Sequence, residues 1–311
     1  MCCLFGFLNY SNKPIKDLHK LTNALARQAT VRGTDATGIA YCDKNKLVIH
    51  KEPKSAYDIN FKHPDSVIAI SGHTRHATQG KEELNFNNHP FSGSCKNLSF
   101  ALSHNGVLSN DRELKRKFKL PKTKIETDSY VAVQLLKHKR KLNIDSIKFM
   151  AENVQGTFAF TILDSNNVLH LIRGDSPLSL LHFYDKQIYV YASTDSILFK
   201  SLVDTELFED VKKGKFEEIK INSGDIISIH PDGTDVFDKF EYEDTSYLNR
   251  YNWWDYGFSS LYSEDDTYVE NLKSVAPGFG YSPEEIDDFI NEGFSCEDIE
   301  EFMYCGFGGE I

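Results

Sequence analysis

A cysteine directly follows Met1. A second residue this small permits removal of the initiating methionine, which leaves a thiol and a free α-amine on one residue. That amine, with an ordinary pKa of about 7.7 to 8.0, can take the thiol proton near neutral pH, so Cys2 would carry nucleophile and base together. A Met-Cys start occurs often by chance, and the weight lies in the clusters that follow. These are Arg32-Gly33-Thr34-Asp35-Ala36-Thr37-Gly38, Gly72-His73-Thr74-Arg75-His76-Ala77-Thr78-Gln79-Gly80, His104-Asn105-Gly106 and Glu126-Thr127-Asp128. Each is polar, three of the four contain glycine, and all fall at the ends of predicted strands, where sites are built. Each residue also has a plainer reading. Arg75 suits a surface ion pair, Asp128 a helix cap, and Asn105-Gly106 a hairpin turn. His73, His76, His89 and His104 raise the question of a metal, but no acid stands at ligand spacing, and no metal site is expected.

The elements that must hold these residues follow from the hydrophobic pattern. Leu4 to Leu8 is a short apolar run that reads as a strand, and Leu18, Leu21 and Leu25 behind Pro14 have helical spacing. Thr37–Tyr41 and Leu47–His50 flank Asp43-Lys44-Asn45 as a hairpin. Val67–Ser71 and Leu98–Leu102 add strands, and 129–137 and 144–152 read as helices. The segments 157–163, 168–172, 187–192, 216–221 and 225–229 read as extended. Many strands with helices grouped between them predict α+β layers rather than βαβ alternation.

Charge divides the chain. Residues 241–311 hold 18 of the 46 acidic side chains and 2 of the 35 basic ones, so the tail carries about −16 and residues 1–240 about +5. Two regions are expected, 2–240 and 241–311. In the second, Gly280-Tyr281-Ser282-Pro283-Glu284-Glu285-Ile286-Asp287-Asp288-Phe289 recurs 13 residues later from Gly293 to Phe302. Each copy has a Ser N-cap with an acid three residues on, which predicts two short helices with one apolar stripe each. The stripes, too small to be cores alone, are expected to dock, either on a partner subunit or on their own domain. No apolar run approaches the roughly 18 residues of a membrane helix, and no signal-peptide pattern opens the chain, so a cytoplasmic protein without membrane contact is expected. Six cysteines without C-x-x-C spacing favour free thiols. The basic stretch from Lys115 to Lys124, with Lys137 to Lys141, reads as solvated helix ends, and nucleic-acid binding is not expected.

In order, these clusters resemble the class II glutamine amidotransferase domain, the N-terminal-nucleophile module of glucosamine-6-phosphate synthase and amidophosphoribosyltransferase. Asn88-His89-Pro90-Phe91, Gly156-Thr157-Phe158-Ala159, Arg173 to Leu178 and Ala192 to Asp195 look like further landmarks, and the resemblance runs from Cys2 to about Ile229. It implies a four-layer αββα sandwich that needs no cofactor, takes L-glutamine and releases glutamate and ammonia. The resemblance implies Cys2 as the nucleophile that forms a γ-glutamyl thioester, with the Asn105 side chain and Gly106 N–H as oxyanion donors. It implies that Arg75 grips the substrate α-carboxylate, that Asp128 holds the α-ammonium, and that Thr78 lies in the substrate loop. Arg32 and Asp35 are expected to support the nucleophile. Cys3 departs from the family's usual glycine. No synthase signature follows the domain, so a separate synthase subunit is expected to receive the ammonia. A hydrolase of another γ-glutamyl amide and a silent scaffold on the same fold are the alternatives.

Overall fold

The computed structural model describes residues 2–11, 18–44, 46–77, 79–96, 98–242 and 281–291, with single positions at 269, 272, 273, 276, 294, 299 and 303. The chain divides into two compact units, Met1–Ser193 with Ile197–Asp244, and Thr194–Ser196 with Thr245–Ile311.

In the first unit, strand alternation decides the architecture. Cys3, Phe5 and Phe7 of β1 (Cys3–Asn9) pack with Leu18, Leu21 and Leu25 of α1 (Leu18–Gln28) and with Ile197, Leu198 and Leu202 of α5 (Asp195–Leu202). Leu4 and Leu8 of the same strand point the other way, into a layer shared with Ala159 and Leu163 of β7 (Gly156–Asp164) and Leu169 and Leu171 of β8 (Leu169–Arg173). A third layer joins Phe100 and Leu102 of β6 (Leu98–Leu108) to Val131 and Leu135 of α3 (Tyr130–His138) and to Ile147 and Met150 of α4 (Ile144–Asn153). Three apolar layers between helix, sheet, sheet and helix make the αββα sandwich expected from the sequence. The remaining helices are α2 (Asp111–Lys117) and α6 (Phe208–Lys212).

The remaining strands are β2 (Ala36–Asp43), β3 (Lys46–Glu52), β4 (Ala69–Arg75), β5 (Phe91–Cys95), β9 (Ser179–Phe183), β10 (Ile188–Ala192), β11 (Glu217–Ile219), β12 (Asp225–Ile229) and β13 (Asp235–Lys239). The seven-stranded sheet runs β11-β9-β10-β1-β4-β2-β3 and the six-stranded sheet β13-β12-β8-β7-β6-β5. Every pairing is antiparallel. Central β1 is locked at its start by Ser193, whose Oγ accepts from Leu4 N at 2.9 Å while its N–H donates to Leu4 O at 2.9 Å. Between the sheets, Ser71 and Thr161 share a hydroxyl hydrogen bond of 3.0 Å.

Some elements differ from their sequence reading. Phe91-Ser92-Gly93-Ser94-Cys95, to which the sequence reading assigned no element, is the edge strand β5, with Gly93 beneath the Phe100 ring. Strand β6 extends well past its apolar alternation, so His104-Asn105-Gly106 lies inside a strand rather than at its end. Pairing with β7 carries it that far, from Phe100↔Asp164 to Leu108↔Gly156.

In the second unit, the helix Pro283–Asn291 starts with the anticipated capping box: Ser282 N donates to Glu285 Oε2 at 2.6 Å and Glu285 N to Ser282 Oγ at 3.2 Å. Ile286 is buried with Leu272, Ala276, Ile299 and Met303, so residues of the two repeat copies pack in one small cluster. The helix expected in the second copy otherwise lies outside the described residues.

Leu171 is fully buried between the sheets. Leu171→Ala is expected to lower the unfolding free energy by about 2 to 5 kcal/mol, read as a lower urea midpoint at unchanged slope. A loss below about 1 kcal/mol would contradict a close-packed inter-sheet layer.

Candidate active site

Strand alternation that sends Cys3 into the helical layer puts Cys2 on the opposite face, toward the second sheet. Cys3 is fully buried, and burial raises its pKa despite the Arg32 charge, so its thiol is a core group. Cys2 is half-buried, with Sγ 3.5 Å from the His76 carbonyl. Burial pushes its thiol up, and the Arg75 and Arg32 charges pull it back. A raised thiol pKa means that attack at neutral pH needs a base.

Two residues of the Arg32–Asp35 segment fix the ground around Cys2. The buried Arg32 donates from Nε to the Cys2 carbonyl at 3.0 Å. Asp35 Oδ2 accepts from Ala77 N at 2.7 Å and lies 3.5 Å from His76 Nδ1, while Asp35 N donates to Arg75 O at 3.0 Å. One short segment therefore holds both the backbone of Cys2 and the loop that faces its sulfur.

Arg75 is the last residue of β4 and is almost fully buried. It donates through Nη1 to Asn88 Oδ1 at 2.7 Å, and through Nη2 to the carbonyls of Gln79 and Gly80. Three of its five donors are thus committed. Burial lowers its pKa, against the nearby Cys2, Glu82, Asp35 and Asp128, so those groups share its electrostatic surroundings. The loop is tied further by Lys51 of β3, which donates to Asn88 O and to Pro90 O and lies 5.2 Å over the Phe91 ring. Burial takes Lys51 down to about 8. Thr78 lies outside the described residues.

The second sheet supplies the opposite wall. Asn105 pairs with Ala159, which lies in the inter-sheet layer, and cross-strand partners share a face. Its amide therefore faces the same gap as Cys2. Asn105 is 1% exposed, and among the described residues neither its nitrogen nor its oxygen has a hydrogen-bond partner. An unpaired buried amide costs about 1 to 3 kcal/mol.

Gly106 has φ 129°, and a Cβ there would stand 2.1 Å from the Thr157 carbonyl oxygen. Its partner Phe158 bonds on the other side, to Asp175 Oδ1 (2.8 Å) and Gly174 N (2.9 Å). Gly106 and Phe158 are thus a non-hydrogen-bonded pair, and the Gly106 N–H turns away from β7. On that same side Leu108 N meets Asp128 Oδ2 at 2.6 Å. The other Asp128 oxygen accepts from Ser129 Oγ at 3.2 Å.

Three buried imidazoles brace the two walls. His73 Nε2 donates to the His104 carbonyl at 2.9 Å, joining β4 to the peptide that precedes Asn105. The His73 and His89 rings lie 4.2 Å apart, and His104 stacks on Phe160 at 4.7 Å. Burial depresses all three, His73 to about 3. Among the described residues no group of three His, Cys, Asp or Glu side chains could hold a metal ion.

The structure thus brings Cys2, Arg32, Asp35, Arg75, Asn105, Gly106 and Asp128 to one end of the inter-sheet gap. The sequence reading did not include Lys51 and gave Ser193 no role within its noted motif, because their roles depend on contacts far along the chain. Asn88 stood in a noted motif without a role.

Comparison with known proteins agrees with this architecture. The glutamine phosphoribosylpyrophosphate amidotransferase from B. subtilis, solved with ADP and GMP, superposes with a TM-score of 0.60 at 24% identity over 78% of this chain and 50% of its own. The fold is that of the N-terminal-nucleophile amidotransferases. Residues 73–200 match the glutamine amidotransferase domain family. Glutamine–fructose-6-phosphate aminotransferase (isomerizing) of Francisella tularensis subsp. tularensis is 31% identical over 257 residues, covering 76% of this chain and 37% of that protein. The 7-cyano-7-deazaguanine synthase of Saccharolobus solfataricus is 25% identical over 245 residues, covering 74% and 50%. The chain carries a class II glutamine amidotransferase domain. It spans half or less of the length of these relatives. No helix among the described residues is long and apolar enough to cross a membrane.

The depressed histidines fix a pH dependence. Between pH 6.5 and about 3 the folded His73 binds fewer protons than its unfolded counterpart, and His170 does so down to about 4. Stability therefore falls as pH drops through that window, by up to about 1.4 kcal/mol per pH unit for each such group. Thermal melts are expected to shift downward from pH 7 to pH 5; a flat series would show that these rings are not buried as neutral groups.

Proposed function

We propose that this protein hydrolyses the side-chain amide of L-glutamine through Cys2 and delivers the ammonia to an acceptor on a synthase domain or separate subunit. The observation that carries this reading is the buried, unpartnered amide of Asn105 facing the gap that Cys2 also faces.

With Met1 removed, the Cys2 α-amine takes the thiol proton as sulfur attacks the amide carbon of glutamine. The carbonyl oxygen becomes an oxyanion held by Asn105 Nδ2 and the Gly106 N–H, neither of which has to reorganise away from an earlier partner. The ammonium returns its proton to the leaving nitrogen, ammonia departs, and a γ-glutamyl thioester remains. Water then attacks the thioester with the amine again as base, releasing glutamate and regenerating the thiol.

Arg75 retains two N–H groups for the substrate α-carboxylate, where a guanidinium fork matches a planar anion. Asp128 retains a lone pair on each oxygen for the α-ammonium. Arg32 and Asp35 position the nucleophile through the Cys2 carbonyl and the 76–77 loop. Delivery to an acceptor is supported by the relatives, whose names describe aminotransfer and synthase reactions.

Glutamate release by wild type and single variants tests the reading. Cys2→Ala is expected to abolish it, Cys3→Ala to retain it, and Asn105→Ala to lower kcat by about 100-fold or more. Activity that survives Cys2→Ala but not Cys3→Ala would overturn the assignment.

A further inference from the structure

A second cleft, of about 720 Å³, opens where the sandwich is unclosed, between edge strand β3 of one sheet and edge strand β5 of the other. None of its lining residues belongs to the site described above. Its volume lies within the range typical of small-molecule sites. Two cations, Lys46 and Lys137, stand on its walls, and among the described residues no carboxylate lines it. Neither lysine has an ion-pair partner among the described residues.

Ser92, Ser94, Ser99 and Tyr130 also line the cleft. Among the described residues their four hydroxyls make no hydrogen bond. A wall of uncommitted O–H donors with two ammonium groups suits a ligand rich in acceptor oxygens and negative charge. Tyr130 is anchored from behind, edge-on to Phe91 at 5.5 Å, with Phe91 4.3 Å from His89. The aromatic wall is therefore fixed before any ligand arrives, which lowers the ordering cost of binding.

We propose that this cleft binds a small molecule carrying a phosphate or diphosphate group, held by Lys46 and Lys137 and by the Ser92, Ser94, Ser99 and Tyr130 hydroxyls. The site is separate from the glutamine site and does not depend on the reading of that site.

Isothermal titration of the full chain with inorganic pyrophosphate, ribose 5-phosphate and AMP tests the proposal. Saturable one-to-one binding of at least one probe is expected, weakened at least about tenfold in Lys46→Gln/Lys137→Gln, since the double variant removes both charge-assisted donors. Preference for pyrophosphate would assign a diphosphate ligand, and preference for ribose 5-phosphate or AMP a phosphate monoester. Both lysines are exposed, so the double variant should fold. Equal binding by wild type and double variant, or no saturable binding of any probe at millimolar concentration, would overturn the proposal.

Discussion

Everything in the site depends on which face of a strand each residue occupies. Strand β1 is the middle of the larger sheet, and its two faces serve different layers: Cys3, Phe5 and Phe7 close the helical core, while Leu4 and Leu8 face the second sheet. Cys2 falls on the second face, opposite the strand that carries Asn105. A slip of one residue in β1 would bury the Cys2 sulfur among helices and bring the other thiol to the gap. The exchange with Ser193 at Leu4, the six-residue pairing with β4 and the Arg32 bond to the Cys2 carbonyl together hold the register.

That arrangement stores instability where the chemistry is proposed. Among the described residues the Asn105 amide has no hydrogen-bond partner and His89 has none at either ring nitrogen, and Lys51 is held in surroundings that disfavour its charge. Such groups persist only because the surrounding layers over-determine them. The compensation is visible nearby, in the bonds from Arg75, Asn88 and Lys51 that close the loop after β4.

Much of the fold was legible from local pattern. The apolar runs of β1, β7, β8 and β12, and the helical spacing of α1, α3 and α4, are properties of short windows. Strand β5 was hidden because Gly and Ser signal turns, and its strand character comes only from pairing with β6. Of the site, residue types and order were legible in Cys2, Arg32, Asp35, Arg75, Asn105, Gly106 and Asp128. The facing of Cys2 and Asn105 across the gap was not, because it depends on registers between strands about a hundred residues apart. Lys51 gave no signal, since an edge-strand lysine is usually solvated.

The central claim is that the sulfur of Cys2, on a chain freed of Met1, is the group that meets the glutamine amide. Intact-mass and peptide analysis after treatment with 6-diazo-5-oxo-L-norleucine tests it most directly. The account requires a single adduct on an N-terminal Cys2 peptide lacking methionine. An adduct on Cys3, or equal labelling of chains that still carry Met1, would contradict it.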